Sequence, residues 1–113
     1  MIPKQRQIVE VNFRLPDGKF KNHPVLVISN DCTNEFEETF TAVMLTGTPQ
    51  NDEYSLKIPE NAVSKKLNKQ TEIRIHLIQS FMFSDIIQNK NQNIYLKKDF
   101  FEKVLKKIKN KIC

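Results

Sequence analysis

Glycine is nearly absent from this chain, with Gly18 and Gly47 the only two in 113 residues, and that scarcity removes several functions at once. Loops that cradle nucleotide phosphates and GxSxG serine elbows both need clustered glycines. Neither can be built here. Cysteine is as scarce: Cys32 and Cys113 are far apart and lack the paired spacing of a zinc or redox motif, so both read as free thiols. No metal or nucleotide cofactor is implied. No segment approaches the roughly 20 consecutive apolar residues of a membrane span, and the opening MIPKQRQ lacks the apolar centre of a signal peptide. The expected address is the cytoplasm, with no membrane partner. Repeats and low-complexity linkers are missing too, so residues 1–113 are expected to form one domain.

The hydrophobic fraction of 39% against a charged fraction of 27% is that of a soluble globular protein. The net charge of +5 is carried by the last element, where seven lysines between Lys97 and Cys113 face only Asp99 and Glu102. Phe101, Leu105, Ile108 and Ile112, widened by Phe100 and Val104, recur there at helical spacing. Asp99 and Glu102 fit a capping box at its start. This predicts an amphipathic helix docked on the body, its lysines in water.

Upstream the period changes to two. Val9, Val11 and Phe13 alternate with Glu10, Asn12 and Arg14, as in a half-buried strand. Pro16-Asp17-Gly18 then predicts a turn, because proline presets φ and glycine accepts positive φ. After Pro24, the run Val25 to Ile28 is continuously apolar, as in a central strand. Between these two strands the sequence predicts a loop carrying Arg14, Lys19, Lys21 and His23. Three more short strands are expected at Thr39–Thr46, Tyr54–Ile58 and Glu72–Ile78, with a helical turn or two at 31–38 and another at 84–88. Residues 89–93 read as a polar loop before Ile94 and Tyr95. The whole is mainly β with short helices: a small, strongly curved antiparallel sheet, barrel-like and closed by the terminal helix.

The stretch Ile8 to Asn30, IVEVNFRLPDGKFKNHPVLVISN, resembles the opening of the PemK/MazF family of toxin endoribonucleases. Val9 to Phe13, Pro16 to Lys21, Val25 to Ile28 and Ser29-Asn30-Asp31 carry the likeness. A strand ending on Thr46 is similar to the family strand that finishes on a catalytic threonine, and Gln79 in HLIQSFMF matches a family glutamine. His23 stands before Pro24 where the family has arginine, and Phe81 stands where another arginine would be. The resemblance covers roughly residues 7–86. It implies an SH3-like barrel and a metal-independent mRNA interferase acting on single-stranded RNA. It also implies a homodimer and a cognate antitoxin, acidic and partly disordered. Related gyrase-poison toxins end in an essential tryptophan, and this chain has none.

Cleavage of RNA without a metal uses the neighbouring 2′-hydroxyl as nucleophile. The protein must remove its proton, stabilise the phosphorane and assist the leaving 5′-oxygen. By position His23 and Thr46 are the candidate catalytic residues, histidine as acid or base near its ordinary pKa of about 6.5 and threonine as hydrogen-bond donor. Arg14, Lys19, Lys21 and Gln79 are the candidate RNA contacts. The plainer readings are an ordinary histidine before proline and a strand-end threonine. His76 reads as a partly solvated strand histidine sharing a face with Arg74 and Ile78, opposite Ile73, Ile75 and Leu77. The loss of both arginines leaves a second class open: a binding module on the same fold, gripping RNA or a protein without cutting.

Overall fold

The computed structural model describes residues 2–87 and 93–112; Cys113 and most of the expected 89–93 loop lie outside them. In chain order the elements are β1 (Gln7–Arg14), β2 (Phe20–Val27), α1 (Asp31–Glu37), β3 (Thr39–Thr46), β4 (Ser55–Lys57), β5 (Glu72–Met82), β6 (Ile94–Tyr95) and α2 (Lys98–Ile112). The six strands form one antiparallel sheet in the order β4-β5-β3-β2-β1-β6. The mainly-β expectation is met, but closure of the sheet is not. Edge strands β4 and β6 do not pair; the segments near them meet at an isolated bridge between Val63 and Leu96 and a Tyr95 amide to Ser64 hydroxyl hydrogen bond.

The expected loop between the first two strands shrinks to a five-residue turn. Leu15 donates to and accepts from the Lys19 and Gly18 backbones, Gly18 takes φ 87°, and the Asp17 carboxylate accepts from the Lys19 amide. Arg14, Lys21 and His23 therefore sit in strands, with Val11 opposite His23, Phe13 opposite Lys21 and Arg14 opposite Phe20. Backbone hydrogen bonding carries the ladder past polar side chains that an apolar pattern would leave out.

Every buried apolar strand residue goes to one of two cores, by parity along β1, β2 and β3 and on either side of a register shift in β5. Ile8, Leu26, Val43, Leu45, Ile73 and Ile75 pack on one face beneath Phe101 and Val104 of α2. Val9, Val11, Val25, Val27, Met44 and Phe81 pack on the other. Central β2 thus buries Val25, Leu26 and Val27 on both sides, as its unbroken apolar run requires. In α2 the buried stripe runs through Phe101 and Val104, with Leu105 at its exposed edge. The expected capping box is not formed: the helix starts at Lys98, so Asp99 lies inside the first turn, where a carboxylate complements the helix dipole. Asn30 caps α1 by accepting from the Thr33 amide. No helix among the described residues is long and apolar enough to cross a membrane.

β5 departs most from its expected form. Val43 pairs with Ile78 while the next residue, Met44, pairs with Arg74, so Ile75, His76 and Leu77 form a three-residue bulge. Beyond it the strand continues to Met82 and places Phe81 in the core, against the rings of Phe40 at 5.7 Å and Phe13 at 6.5 Å.

Candidate functional site

A cleft of about 500 Å³ opens on the sheet face opposite α2, and His23, Thr46, Arg74, His76 and Gln79 all line it. It brings β2, β3 and β5 together. β2 and β3 pair Val25 with Met44, and extending that register by two residues sets His23 across from Thr46. Two residues far apart in sequence thereby become cross-strand neighbours.

Pro24 determines how His23 is held. Ile28 donates to the Thr41 carbonyl at 2.9 Å, and in this register the residue due to donate to Leu45 is Pro24, which has no N–H. The His23 ring supplies the missing donor: its Nε2 lies 2.7 Å from the Leu45 carbonyl oxygen. A carbonyl only accepts, so Nε2 carries the hydrogen and neutral His23 keeps its lone pair on Nδ1. Burial pulls the His23 pKa below its ordinary value; the Leu45 hydrogen bond opposes this, and nearby Lys21 adds to the lowering. Neutral His23 therefore dominates at pH 7 and can take a proton.

Thr46 Oγ1 accepts from the Thr48 amide at 3.1 Å, so its own hydroxyl hydrogen stays available to a ligand. Gly47 follows, and the Lys69 side chain lies so close over it that a methyl group there would collide. The missing side chain leaves room for the end of the Lys69 side chain against the Gly47 backbone.

Of the four expected RNA contacts, Gln79 lines the cleft, opposite Ala42 on β3. Lys21 shares the His23 face of β2, one pair further along the hairpin. Arg14 pairs with Phe20 on the opposite face, and Lys19 ends the exposed turn. These two stand away from the cleft.

Sequence reading missed Arg74 and underrated His76. The bulge puts both in the cleft together with Leu77 and Ile78, so the expected separation of Leu77 onto the other face is corrected. His76 packs on Tyr54 with ring centroids 4.7 Å apart, and its Nδ1 is buried with no partner among the described residues. The apolar pair Leu77-Ile78 breaks strict alternation, and that is the one local sign of the bulge. Among the described residues no three His, Cys, Asp or Glu side chains converge as a metal site.

The fold has counterparts among known proteins. The chain shares its fold with an endoribonuclease from Mycobacterial species solved with its cognate antitoxin (TM-score 0.73, 15% identity, 96% of this chain and 92% of that one). It is equally similar to MazF from Deinococcus radiodurans (TM-score 0.74, 17% identity, 97% and 96%). MazF from that organism solved with MazE gives a TM-score of 0.76 at 16% identity, over 97% and 95%. No curated protein sequence matches. The family model described as PemK-like, MazF-like toxin of type II toxin-antitoxin system matches residues 4–112. The chain belongs to the PemK-like, MazF-like toxin family.

Proposed function

We propose that this toxin is a metal-independent endoribonuclease cutting single-stranded RNA, with His23 as general base and Thr46 as hydrogen-bond donor to a non-bridging phosphate oxygen. The observation that carries the proposal is the His23–Leu45 hydrogen bond, which fixes the tautomer of the neutral ring with its lone pair on Nδ1, across the sheet from Thr46. His23 Nδ1 takes the 2′-hydroxyl proton as the 2′-oxygen attacks phosphorus. The P–O5′ bond breaks, the leaving 5′-oxygen takes a proton from solvent water, and the products are a 2′,3′-cyclic phosphate and a 5′-hydroxyl end. Gln79 in the cleft and Lys21 beside it hold the strand, while Lys19 and Arg14 attract the backbone further along the hairpin.

The toxin acts as a homodimer in the cytoplasm and is neutralised by a cognate antitoxin. Exposed Phe20, Phe36, Leu77 and Met82 give it apolar surface for these partners, and the antitoxin-bound neighbours support such an antitoxin. A second reading, a binding module that grips RNA without cutting, is favoured by Phe81, which occupies core space where the family resemblance would place an arginine.

Purified protein incubated with long single-stranded RNA in excess EDTA decides between them. Defined fragments with 2′,3′-cyclic phosphate ends, lost in His23→Ala and Thr46→Ala, establish the enzyme. Intact RNA from folded protein that still binds it establishes the binding module.

A further inference from the structure

The chain has three arginines, and their surroundings differ. Arg6 donates to the Leu96 carbonyl and Arg14 lies exposed on the hairpin. Arg74 alone of the three lines the cleft, with its side chain 14% exposed.

Its guanidinium is held from one side only. Nη1 donates to both carboxylate oxygens of Asp52, at 2.8 and 3.0 Å, and to Ser55 Oγ at 2.5 Å. All three hydrogen bonds fall on that one nitrogen. The Nε–H and Nη2–H edge, whose parallel donors match two oxygens of one phosphate, makes no hydrogen bond among the described residues. Asp52 and Ser55 belong to the segment leading into and through β4, so the neighbouring strand fixes the fork before any ligand arrives. The sheet also sets Arg74 near the reacting pair, because it pairs with Met44, two residues before Thr46 on β3.

We propose that Arg74 is the phosphodiester-binding residue of the cleft, offering Nε–H and Nη2–H to the non-bridging oxygens of the phosphate nearest Thr46, with Asp52 and Ser55 as positioning residues. The guanidinium that is missing beside Pro24 is supplied from β5. The inference deepens the endoribonuclease reading, but its test is a binding measurement that stands apart from cleavage.

The test uses 2′-fluoro RNA oligonucleotides, which lack the nucleophile. One set is all-phosphate, and a second carries a single uncharged methylphosphonate stepped along the strand. With the unmodified protein, one linkage is expected at which removing the charge weakens binding about tenfold or more, the worth of a hydrogen-bonded charge. In Arg74→Ala binding falls by a similar factor and that position becomes silent. Arg74→Lys, which keeps the charge but not the fork, and Asp52→Asn each give a partial version of the same pattern, and Arg74→Lys carries the test should Arg74→Ala fail to fold. Persistence of the charge-sensitive linkage in a folded Arg74 variant overturns the proposal, as does failure of the unmodified protein to bind. Intact natural RNA together with the expected binding pattern leaves Arg74 in place and removes the nuclease reading. Cleavage that depends on His23 but an unaltered pattern in Arg74 variants does the reverse.

Discussion

His23 titrates against its surroundings, and the direction of its shift sets the pH behaviour of both activity and stability. Burial lowers its folded pKa below the ordinary value of 6.5, so the unfolded chain binds the proton first as pH falls. The stability that neutral His23 contributes is complete above the ordinary pKa and is lost as pH drops through the lowered one. The acid limb of RNA cleavage should accordingly fall with an apparent pKa below 6.5, and His23→Asn should flatten the matching loss of thermal stability; rate profiles and melting curves from mildly acidic to mildly basic pH check both. Phe81 gives the opposite kind of residue-scale lesson. It is 5% exposed and packed between Phe40 and Phe13, so Phe81→Arg would leave a charge in an apolar core with no partner. We expect a loss of about 3 kcal/mol or more in denaturant unfolding and no gain in RNA cleavage. The same substitution raising activity at unchanged stability would show that the position belongs to the site rather than to the core.

Strand pairing sets the donor available to the Leu45 carbonyl, and Pro24 is where the two alternatives compete. Pro24→Ala restores a backbone N–H facing Leu45, which should take over the carbonyl and release the His23 ring from its fixed tautomer. Cleavage should fall several-fold while the melting temperature changes little, since one hydrogen bond replaces another and the added chain freedom costs under about 1 kcal/mol. Equal activity in the variant would show that the ring is held by packing instead. Nothing in the residue string marks this arrangement, because the meeting of His23 and Leu45 depends on β2–β3 register. The periodic elements are legible in the sequence: β1 from Val9, Val11 and Phe13, β3 ending at Thr46, and α2 from Phe101 and Val104. The polar half of β2 is not, since Lys21 and His23 are in the strand by virtue of backbone bonds to β1. Arg74 and His76 are not legible as site residues because a bulge, which is a tertiary irregularity, turns their stretch of β5 into the cleft.

The whole molecule separates charge from chemistry by putting them on opposite faces of one sheet. α2 covers the Ile8, Leu26 and Ile73 side, while the cleft opens on the side of His23, Met44 and Thr46. The seven lysines that give the chain its excess charge thus lie on or beside the element that covers the other face of the sheet, and Lys111 is already paired with Glu53 at 3.1 Å. At physiological ionic strength the Debye length is about 8 Å, so charges across the sheet contribute little to a strand bound in the cleft. Reversing three α2 lysines, Lys103, Lys106 and Lys109, to glutamate should leave RNA affinity within about twofold at about 0.15 M salt, with a larger difference appearing only as salt is lowered. Lys21→Glu alone, on the His23 face, should weaken binding at both salt concentrations and flatten its salt dependence by about 0.7 in log–log slope for each phosphate it no longer neutralises. Titrations of both variants over a salt series separate the two effects. A triple α2 variant that fails to bind at about 0.15 M salt would place the RNA across the helix and move the substrate path to the other face of the sheet.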